Sequence, residues 1–462
     1  MKRIISVISA LVVTGSLFAG GLVTNTNQSA LYTRLQSRNA STGIDAVYFN
    51  PAGLTKLSDG FHLSLNNQTI GQTKSITTNY IYLNGNPKEY VGKVSAPFFP
   101  GIYAAYKTGK LALSLGFNPV GGGGGADYEN GLAMFEMQIA DLKPLLTGAG
   151  LTTTNYSVET LSFKGSSIYM GPQVNLSYEI NEMFSVAAGL RVIFANDKYE
   201  GSIENIMINP VHPLVNPTGA MISAPAFFTT IGQPARAAQT SNTYADAVMK
   251  GTGFTPILSA NFSPVGDLLN IAVKYEFKTN LDLTTTVNDN KTAGLFIQDS
   301  VATKDMPAML SVGVDVKPSE RFLISGSFNY YFDKNVDYDG MPDVDVEMIN
   351  KNFIEAGLGI QVGITDRLFA SAGWLTTVTG VNDNFQSDLK YSLNTNTFGG
   401  GFGFKVNDMI DINLGGSYTI YQEASETYTH VITRTPILVQ APAINTYNNK
   451  TWVAAIGLDF HF

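Results

Sequence analysis

The chain ends with the stretch Trp452-Val-Ala-Ala-Ile-Gly-Leu-Asp-Phe-His-Phe462, which decides the fold class. The even positions, from Trp452 to Phe462, are all apolar, whereas the odd positions include Gly457, Asp459 and His461. Successive side chains of a β-strand point to opposite faces, so this alternation predicts a strand with one apolar face and one small or polar face.

The same alternation recurs along the chain, for example over residues 111–118 and 410–420. The connections between these segments are alternately short polar turns and much longer loops. This arrangement is typical of outer-membrane barrels. We count fourteen predicted strands, an even number as such barrels require. They lie at about residues 61–72, 98–107, 111–120, 165–180, 183–196, 251–263, 268–283, 306–316, 320–332, 350–364, 367–378, 389–406, 408–424 and 449–462.

This pattern predicts an all-β fold class, a 14-stranded antiparallel transmembrane β-barrel. The core of a bilayer offers no water to the backbone, so every strand needs two neighbours, and the first and last strands must pair. A secreted, water-soluble β-sandwich would alternate in the same way. We disfavour it because the sequence contains no second set of apolar positions to form the core of a sandwich.

The composition argues against an ordinary cytosolic enzyme and excludes several classes of function. Of the 462 residues, 44% are hydrophobic and only 14% are charged, against about 25% charged in an average soluble protein. The formal charge of -8 leaves no basic stripe for phosphates, so nucleic acid is excluded as a partner. There is no cysteine, which excludes disulfides and thiolate metal sites.

The N-terminus has the layout of a secretory signal peptide. Lys2 and Arg3 precede an apolar run that ends at Phe18, and small residues follow from Ala19. We therefore predict a signal peptide at residues 1–19 and export of the mature chain. The expected location is the outer membrane of a Gram-negative-type bacterium, with outer-membrane lipid around the barrel and the barrel assembly machinery as a partner during biogenesis.

The residues after the signal peptide do not alternate, and by themselves they allow either an empty or a filled lumen. They contain Asn50-Pro51-Ala52-Gly53, a turn signal that is weak on its own. Together with the signal peptide and the fourteen strands ending in Phe, this motif resembles the FadL-type outer-membrane transporters of long-chain fatty acids and other hydrophobic compounds. Two stretches between residues 100 and 119 are also similar to the second and third strands of that family.

The resemblance implies an N-terminal hatch, at residues 20–59, that plugs the lumen. It further implies a path for a hydrophobic small-molecule ligand and an exit through the barrel wall where the third strand is kinked. The transmembrane barrel then occupies residues 60–462, with long extracellular loops at about 121–164 and 197–250.

The third strand carries residues that weaken strand pairing. Pro119 cannot donate to a ladder and the glycines that follow have no side chains to pack, so pairing is expected to fail just past Phe117. Two interpretations stay open, a gap in the barrel wall or the start of a flexible extracellular loop. The predicted lateral opening consists of Phe117, Asn118, Pro119, Gly121, Gly122 and Gly123.

The first long loop contains apolar residues at near-helical spacing. Adaptable Met and Phe side chains accept alkyl chains of many shapes, so we predict a hydrophobic capture groove between this loop and the second long loop. The alternative is a lid that packs on the second loop without a ligand. The predicted groove residues are Leu132, Met134, Phe135, Met137, Ile139 and Leu142.

Alternation directs Arg191 and Lys274 into the lumen. They are weak candidates for contacts with the head group of a ligand, since such charges orient a carboxylate. We favour the structural alternative, in which they pair with other charges of the lumen or of the hatch.

Catalysis, cofactors and metals are not expected. A hydrolase needs a base beside a nucleophile, and none of the four histidines lies in a recognisable signature. The acidic loop around Asp337 and Asp339 is similar to a calcium loop but has Val346 at the position of the required carboxylate, so a solvated loop is favoured.

The expected function is passive uptake of hydrophobic small molecules, such as long-chain fatty acids or aromatic hydrocarbons. Ligand would be captured by the extracellular loops and would leave sideways through the barrel wall. The alternatives are a general porin for polar solutes and, from a different class, an outer-membrane hydrolase.

Overall fold

The computed structural model describes residues 22–288, 296–336, 348–433 and 438–462. The predicted signal peptide lies outside these residues, as do Asp337 and Asp339 of the acidic loop. Both predictions therefore stay predictions.

In the part of the chain that the structure describes, fourteen antiparallel strands form one closed barrel, each strand pairing with the next along the chain. The last strand pairs with the first, from His62 opposite His461 to Tyr80 opposite Ala443. The prediction of a fourteen-stranded closed barrel is confirmed. The strands are β1 (Gly60–Tyr80), β2 (Lys88–Thr108), β3 (Leu111–Phe117 and Pro119–Tyr128), β4 (Thr160–Met170 and Gln173–Asn181), β5 (Phe184–Glu204), β6 (Thr243–Phe262), β7 (Leu269–Glu276 and Asp282–Val287), β8 (Val301–Thr303 and Met309–Ser319), β9 (Phe322–Tyr331), β10 (Phe353–Gly363), β11 (Leu368–Val378), β12 (Thr395–Asn407), β13 (Ile410–Tyr421 and Ala424–Thr433) and β14 (Leu438–His461).

The barrel is apolar outside and largely polar inside. On β3, Leu113 and Leu115 are exposed, whereas Ala112 and Ser114, which alternate with them, are buried. A soluble protein has the opposite arrangement, because its apolar side chains are removed from water. No helix in the described part of the chain is both long and apolar enough to cross a bilayer.

Residues 22–59, the N-terminal segment, lie inside the barrel. They form α1 (Ala30–Leu35), α2 (Ala46–Phe49) and a 3-10 helix (Pro51–Lys56). Ser29 begins α1 as an N-cap, since its hydroxyl accepts a hydrogen bond from Tyr32 N. Nearly every residue of the segment is buried, and its polar groups bond to inward-facing side chains of the strands.

Two long connections, residues 129–159 and 205–242, close the end of the barrel opposite the short turns; we call them the cap. Aromatic and aliphatic side chains from both connections form a second core together with the ends of β1, β2, β13 and β14. The cap is shorter than the predicted loops because β3 to β6 continue as paired strands beyond the predicted boundaries. Its elements are α3 (Ala133–Ala140), α4 (Leu142–Thr147), α5 (Ala224–Thr230), α6 (Pro234–Gln239) and the two-residue strands Tyr156–Ser157, Met207–Ile208 and Ile222–Ser223.

Three short elements complete the described fold. The turn between β6 and β7 contains the extended piece Pro264–Asp267, and single 3-10 turns occur at Asp333–Asn335 and Asp383–Phe385. The last of these belongs to the connection between β11 and β12, which enters the lumen beneath the cap and places Leu389 and Tyr391 in the same core as the N-terminal segment.

Candidate functional site

The wall of the barrel is interrupted between β2 and β3. The ladder runs from Thr108 opposite Leu111 to Ile102 opposite Phe117, and resumes only where Lys93 faces Asp127. In the described structure, residues 94–101 of β2 therefore have no ladder partner in β3.

The interruption exists because β3 turns inward to the N-terminal segment. Asn25 N donates to Val120 O at 2.9 Å, and Gly122 N donates to Val23 O at 2.8 Å, so this edge of β3 pairs with the segment and not with β2. Gly122 has φ +96°, a conformation that other residues rarely adopt. The glycines thus form a kinked strand, and the alternative of a flexible loop does not describe this structure.

The six residues of the predicted lateral opening all lie at this interruption. Phe117 points outward and is half-exposed, whereas the other five are buried. Their arrangement is compatible with an opening, and their role in transport stays a prediction.

Gln28 of the N-terminal segment lies across the inner side of the interruption. Its side chain donates to Pro119 O at 2.9 Å and accepts from Asn118 Nδ2 at 2.6 Å. Its backbone oxygen accepts from Tyr103 Oη on β2 at 2.8 Å. One buried residue therefore bonds to both sides of the interruption and covers it from the lumen side.

Replacing Gly122 with alanine is expected to disrupt the kink. A Cβ atom there would lie 2.4 Å from Ser167 O, and the positive φ adds strain; together these should cost about 1–3 kcal/mol. Gly125→Ala is the matched control, because its Cβ would lie no closer than 3.5 Å to Ser166 Cβ. Urea unfolding in detergent measures both variants, and equal midpoints would contradict the expectation.

The hatch motif fastens the N-terminal segment to the wall. Asn50 Nδ2 donates to Asn261 Oδ1 at 2.8 Å, Pro51 O accepts from Ser177 Oγ at 2.7 Å, and Ala52 O accepts from Ser185 Oγ at 2.8 Å. A Cβ at the fourth motif residue, Gly53, would lie 2.4 Å from Ser41 O, so only glycine fits there. The motif thus joins the segment to β4, β5 and β6.

The predicted capture residues do not form an open groove in this structure. Leu132, Met137, Ile139 and Leu142 are buried, Phe135 is half-buried, and Met134 is 37% exposed. Most of them pack within the cap and against the strand ends beneath it, as in the lid alternative.

Two buried carboxylates attach the cap helix α3 to the barrel, Glu136 of the helix itself and Asp388 of the β11–β12 connection. Glu136 accepts hydrogen bonds from Lys88 Nζ, Tyr90 Oη and Tyr156 Oη at distances between 2.6 and 2.9 Å. Asp388 accepts from Met134 N at 2.6 Å. Burial raises the pKa of Asp388 to about 6, against the opposing effect of that hydrogen bond.

Arg191 and Lys274 are already paired. Both bond to Glu276, with Nη1–Oε2 at 2.5 Å and Nζ–Oε1 at 2.6 Å, and both lie over the ring of Tyr48 in the N-terminal segment. Lys274 Nζ also donates to Tyr48 O at 2.8 Å. The geometry therefore supports the structural alternative over head-group contacts.

The sequence interpretation missed Lys74, an inward-facing residue of β1 that is 4% exposed. Within the described residues no carboxylate lies within salt-bridge distance of its Nζ, and the centroid of the Tyr391 ring lies 5.8 Å from Nζ. Lys74 lines a small cavity of about 10 Å³, room for about one water. The other lining residues are Ala126, Tyr128, Leu132, Phe163, Gly165, Asp388, Leu389 and Tyr391.

A much larger cavity, of about 810 Å³, opens at the short-turn end between the N-terminal segment and the wall. Its lining includes the charged side chains of Arg34, Arg38, Asp45, Asp315 and Asp459. Burial alone would raise the pKa of Asp45, but the Arg38 guanidinium, 2.8 Å away, holds it below its usual value. This end of the lumen is therefore polar.

The described histidines are distributed between the two ends of the barrel. His62 and His461 meet across the β1–β14 seam, with Nδ1–Nδ1 at 2.8 Å. His430 bonds to Asp141 of the cap, with Nε2–Oδ2 at 2.8 Å. Among the described residues no group of three or more His, Asp or Glu side chains is placed to hold a metal ion.

No protein-family model and no curated protein matches the sequence. Solved structures do match in fold, at low sequence identity. A FadL homologue of Pseudomonas aeruginosa is 14% identical with a TM-score of 0.63, and the match covers 96% of this chain and 99% of that chain. The toluene transporter TodX of P. putida is 14% identical, with a TM-score of 0.57 and coverage of 91% and 95%. The toluene transporter TbuX of Ralstonia pickettii is 15% identical, with a TM-score of 0.52 and coverage of 91% and 94%.

The chain therefore has the fold of the FadL-type transporters over nearly its whole described length. The resemblance inferred from the hatch motif and the strand count is confirmed at the level of the fold.

Proposed function

We propose that the protein is a passive channel of the bacterial outer membrane that takes up hydrophobic small molecules. The observation that carries the proposal is the interrupted wall between β2 and β3, covered from the lumen side by Gln28. A general porin has no need of a side opening, since polar solutes pass along its water-filled axis. Solved relatives in fold include two transporters of toluene, a hydrophobic compound.

The outer surface supports insertion into a bilayer. Exposed aliphatic and aromatic side chains continue around the strands, as Leu115, Phe254, Leu358 and Trp452 illustrate. Such a surface is stable against acyl chains and causes aggregation in water. The barrel assembly machinery would insert it, and the N-terminal segment would act as the hatch.

The polar cavity at the short-turn end supports a lateral exit. An apolar molecule leaving along the axis would cross the charged lining around Arg34 and Asp315 and enter water. An exit through the interrupted wall delivers it directly to the apolar phase, which is the more favourable transfer. We therefore place the exit at residues 117–123.

Lys74 supports a ligand with an anionic head group. Asp388 lines the same cavity, but in the described residues no carboxylate lies within salt-bridge distance of Lys74. Burying an ammonium without such a partner is costly, and a ligand carboxylate would supply one. The surrounding rings and leucines would contact an alkyl chain. Among the expected ligand classes, fatty acids fit this site better than aromatic hydrocarbons. Because this cavity has a volume of only about 10 Å³, binding of a fatty acid requires the residues around it, Leu132 of the cap among them, to move.

Proteoliposomes test the proposal. We expect uptake of oleate above that of protein-free vesicles and little flux of sugars. Sugar flux without uptake of oleate or toluene would identify a porin and overturn the proposal. Deleting residues 20–59 should raise ion conductance in planar bilayers, because the hatch fills the lumen; unchanged conductance would contradict a plug.

A further inference from the structure

Strand β2 has an irregularity of its own, directly at the interrupted wall. Gln68 of β1 pairs with Phe99 and Ile70 pairs with Ala96, so Pro97 and Phe98 together oppose a single β1 residue. Two residues opposing one is a β-bulge. The bulge lies within residues 94–101, so both sides of the interruption are irregular.

The bulge places two adjacent phenyl rings on opposite sides of the wall. Phe98 points outward and is 80% exposed, whereas Phe99 is 7% exposed and belongs to the core that contains the N-terminal segment. The bulge also reverses the alternation, since Val94 above it and Tyr103 below it both face inward.

Polar side chains on the outer face hold the bulge in place. Asn67 Nδ2 and Thr69 Oγ1 both donate to Pro97 O, at 3.2 and 3.1 Å. Phe99 N donates to Asn67 Oδ1 at 3.2 Å. Polar groups that face lipid are costly unless they are hydrogen-bonded. The presence of Asn67 and Thr69 on the outer face is explained by their hydrogen bonds to the bulge, which they stabilise.

We propose that Phe98 and Phe99 form an exit lip that carries the ligand across the barrel wall. A strand without a ladder partner presents backbone N–H and C=O groups, which repel apolar molecules. Phe99 on the lumen side and Phe98 on the lipid side provide apolar contact across that polar edge. The inference rests on the proposed function and adds the residues that set the exit rate.

The test compares Phe98→Ser with the matched control Phe402→Ser. Phe402 on β12 also faces outward, at 52% exposure, but its strand is paired on both sides. In proteoliposomes we expect oleate to reach the bilayer about tenfold more slowly through the Phe98 variant, the effect of losing one ring contact. Oleate affinity in detergent should be unchanged in both variants, and heat-modified mobility on gels verifies folding.

Thr69→Val is a second variant, which keeps the shape of the side chain and removes one hydrogen bond of the bulge. It should slow transfer in the same direction as Phe98→Ser. If transfer through the Phe98 and Phe402 variants is equally fast while the wild type transports oleate, the exit lip is overturned and the proposed function stands. If the wild type itself transports neither oleate nor toluene, the proposed function fails.

Discussion

Replacing Glu276 with glutamine is expected to release the N-terminal segment from the lumen and raise the ion conductance of the barrel. Glu276 is the carboxylate shared by Arg191 and Lys274, and all three side chains are nearly inaccessible. Removing its charge leaves two buried cations beside Tyr48 of the N-terminal segment, an arrangement that costs about 3–5 kcal/mol. Single-channel recording in planar bilayers measures the result.

Glu200→Gln is the control for this experiment. Glu200 also pairs with a lysine, Lys198, which lies two residues before it on β5, but both side chains are more than 40% exposed. Exposed pairs contribute about 1 kcal/mol at most, so conductance should not change. Wild-type conductance in the Glu276 variant would show that these ion pairs do not hold the N-terminal segment in the lumen.

Replacing Lys74 with methionine is expected to weaken binding of oleate about 10- to 100-fold, the loss of one hydrogen bond to a charged group. Methionine has a similar shape and fills irregular apolar space. Binding of toluene should be unchanged, because a hydrocarbon has no charge for the ammonium to meet. Equilibrium dialysis in detergent gives both dissociation constants.

Two comparisons make the Lys74 result specific. Lys74→Arg keeps the charge and should retain most of the oleate affinity. Lys93→Met removes a lysine that faces outward on β2 and should have no effect on binding. Equal oleate affinity in the wild type and the Lys74→Met variant would exclude this side chain from the ligand site and leave the ligand class open.

The barrel was predictable from the sequence because its determinants are local. A period of two and short polar turns, as at Asn181 and Asn407, specify each hairpin without reference to distant residues. The hatch motif was recognisable for the same reason, since Asn50 to Gly53 form one contiguous turn. The side chains of β4 to β6 that bond to this motif were not predictable, because these strands lie far along the chain from it.

The site was harder to predict because it depends on long-range pairing. Lys74 was missed since β1 was expected to end near residue 72, although its inward position follows once the alternation is extended. The bulge at Pro97 reverses the alternation within β2. The part of the strand before the bulge, from Lys88, was therefore not predicted. For the cap, an apolar helix looks the same in sequence whether it faces a ligand or a neighbouring loop.

The seam between β1 and β14 has a practical consequence for handling the protein. Phe462 N donates to Phe61 O at 2.8 Å, and Phe61 N donates to Phe462 O at 3.2 Å. A Cβ on Gly60 would collide with the oxygen of Phe462, so the closure has no spare room. A purification tag appended after Phe462 would emerge where the sheet closes. An epitope inserted at Gly150, which is exposed and has no neighbouring atoms within 4 Å of a Cβ, would leave that closure intact.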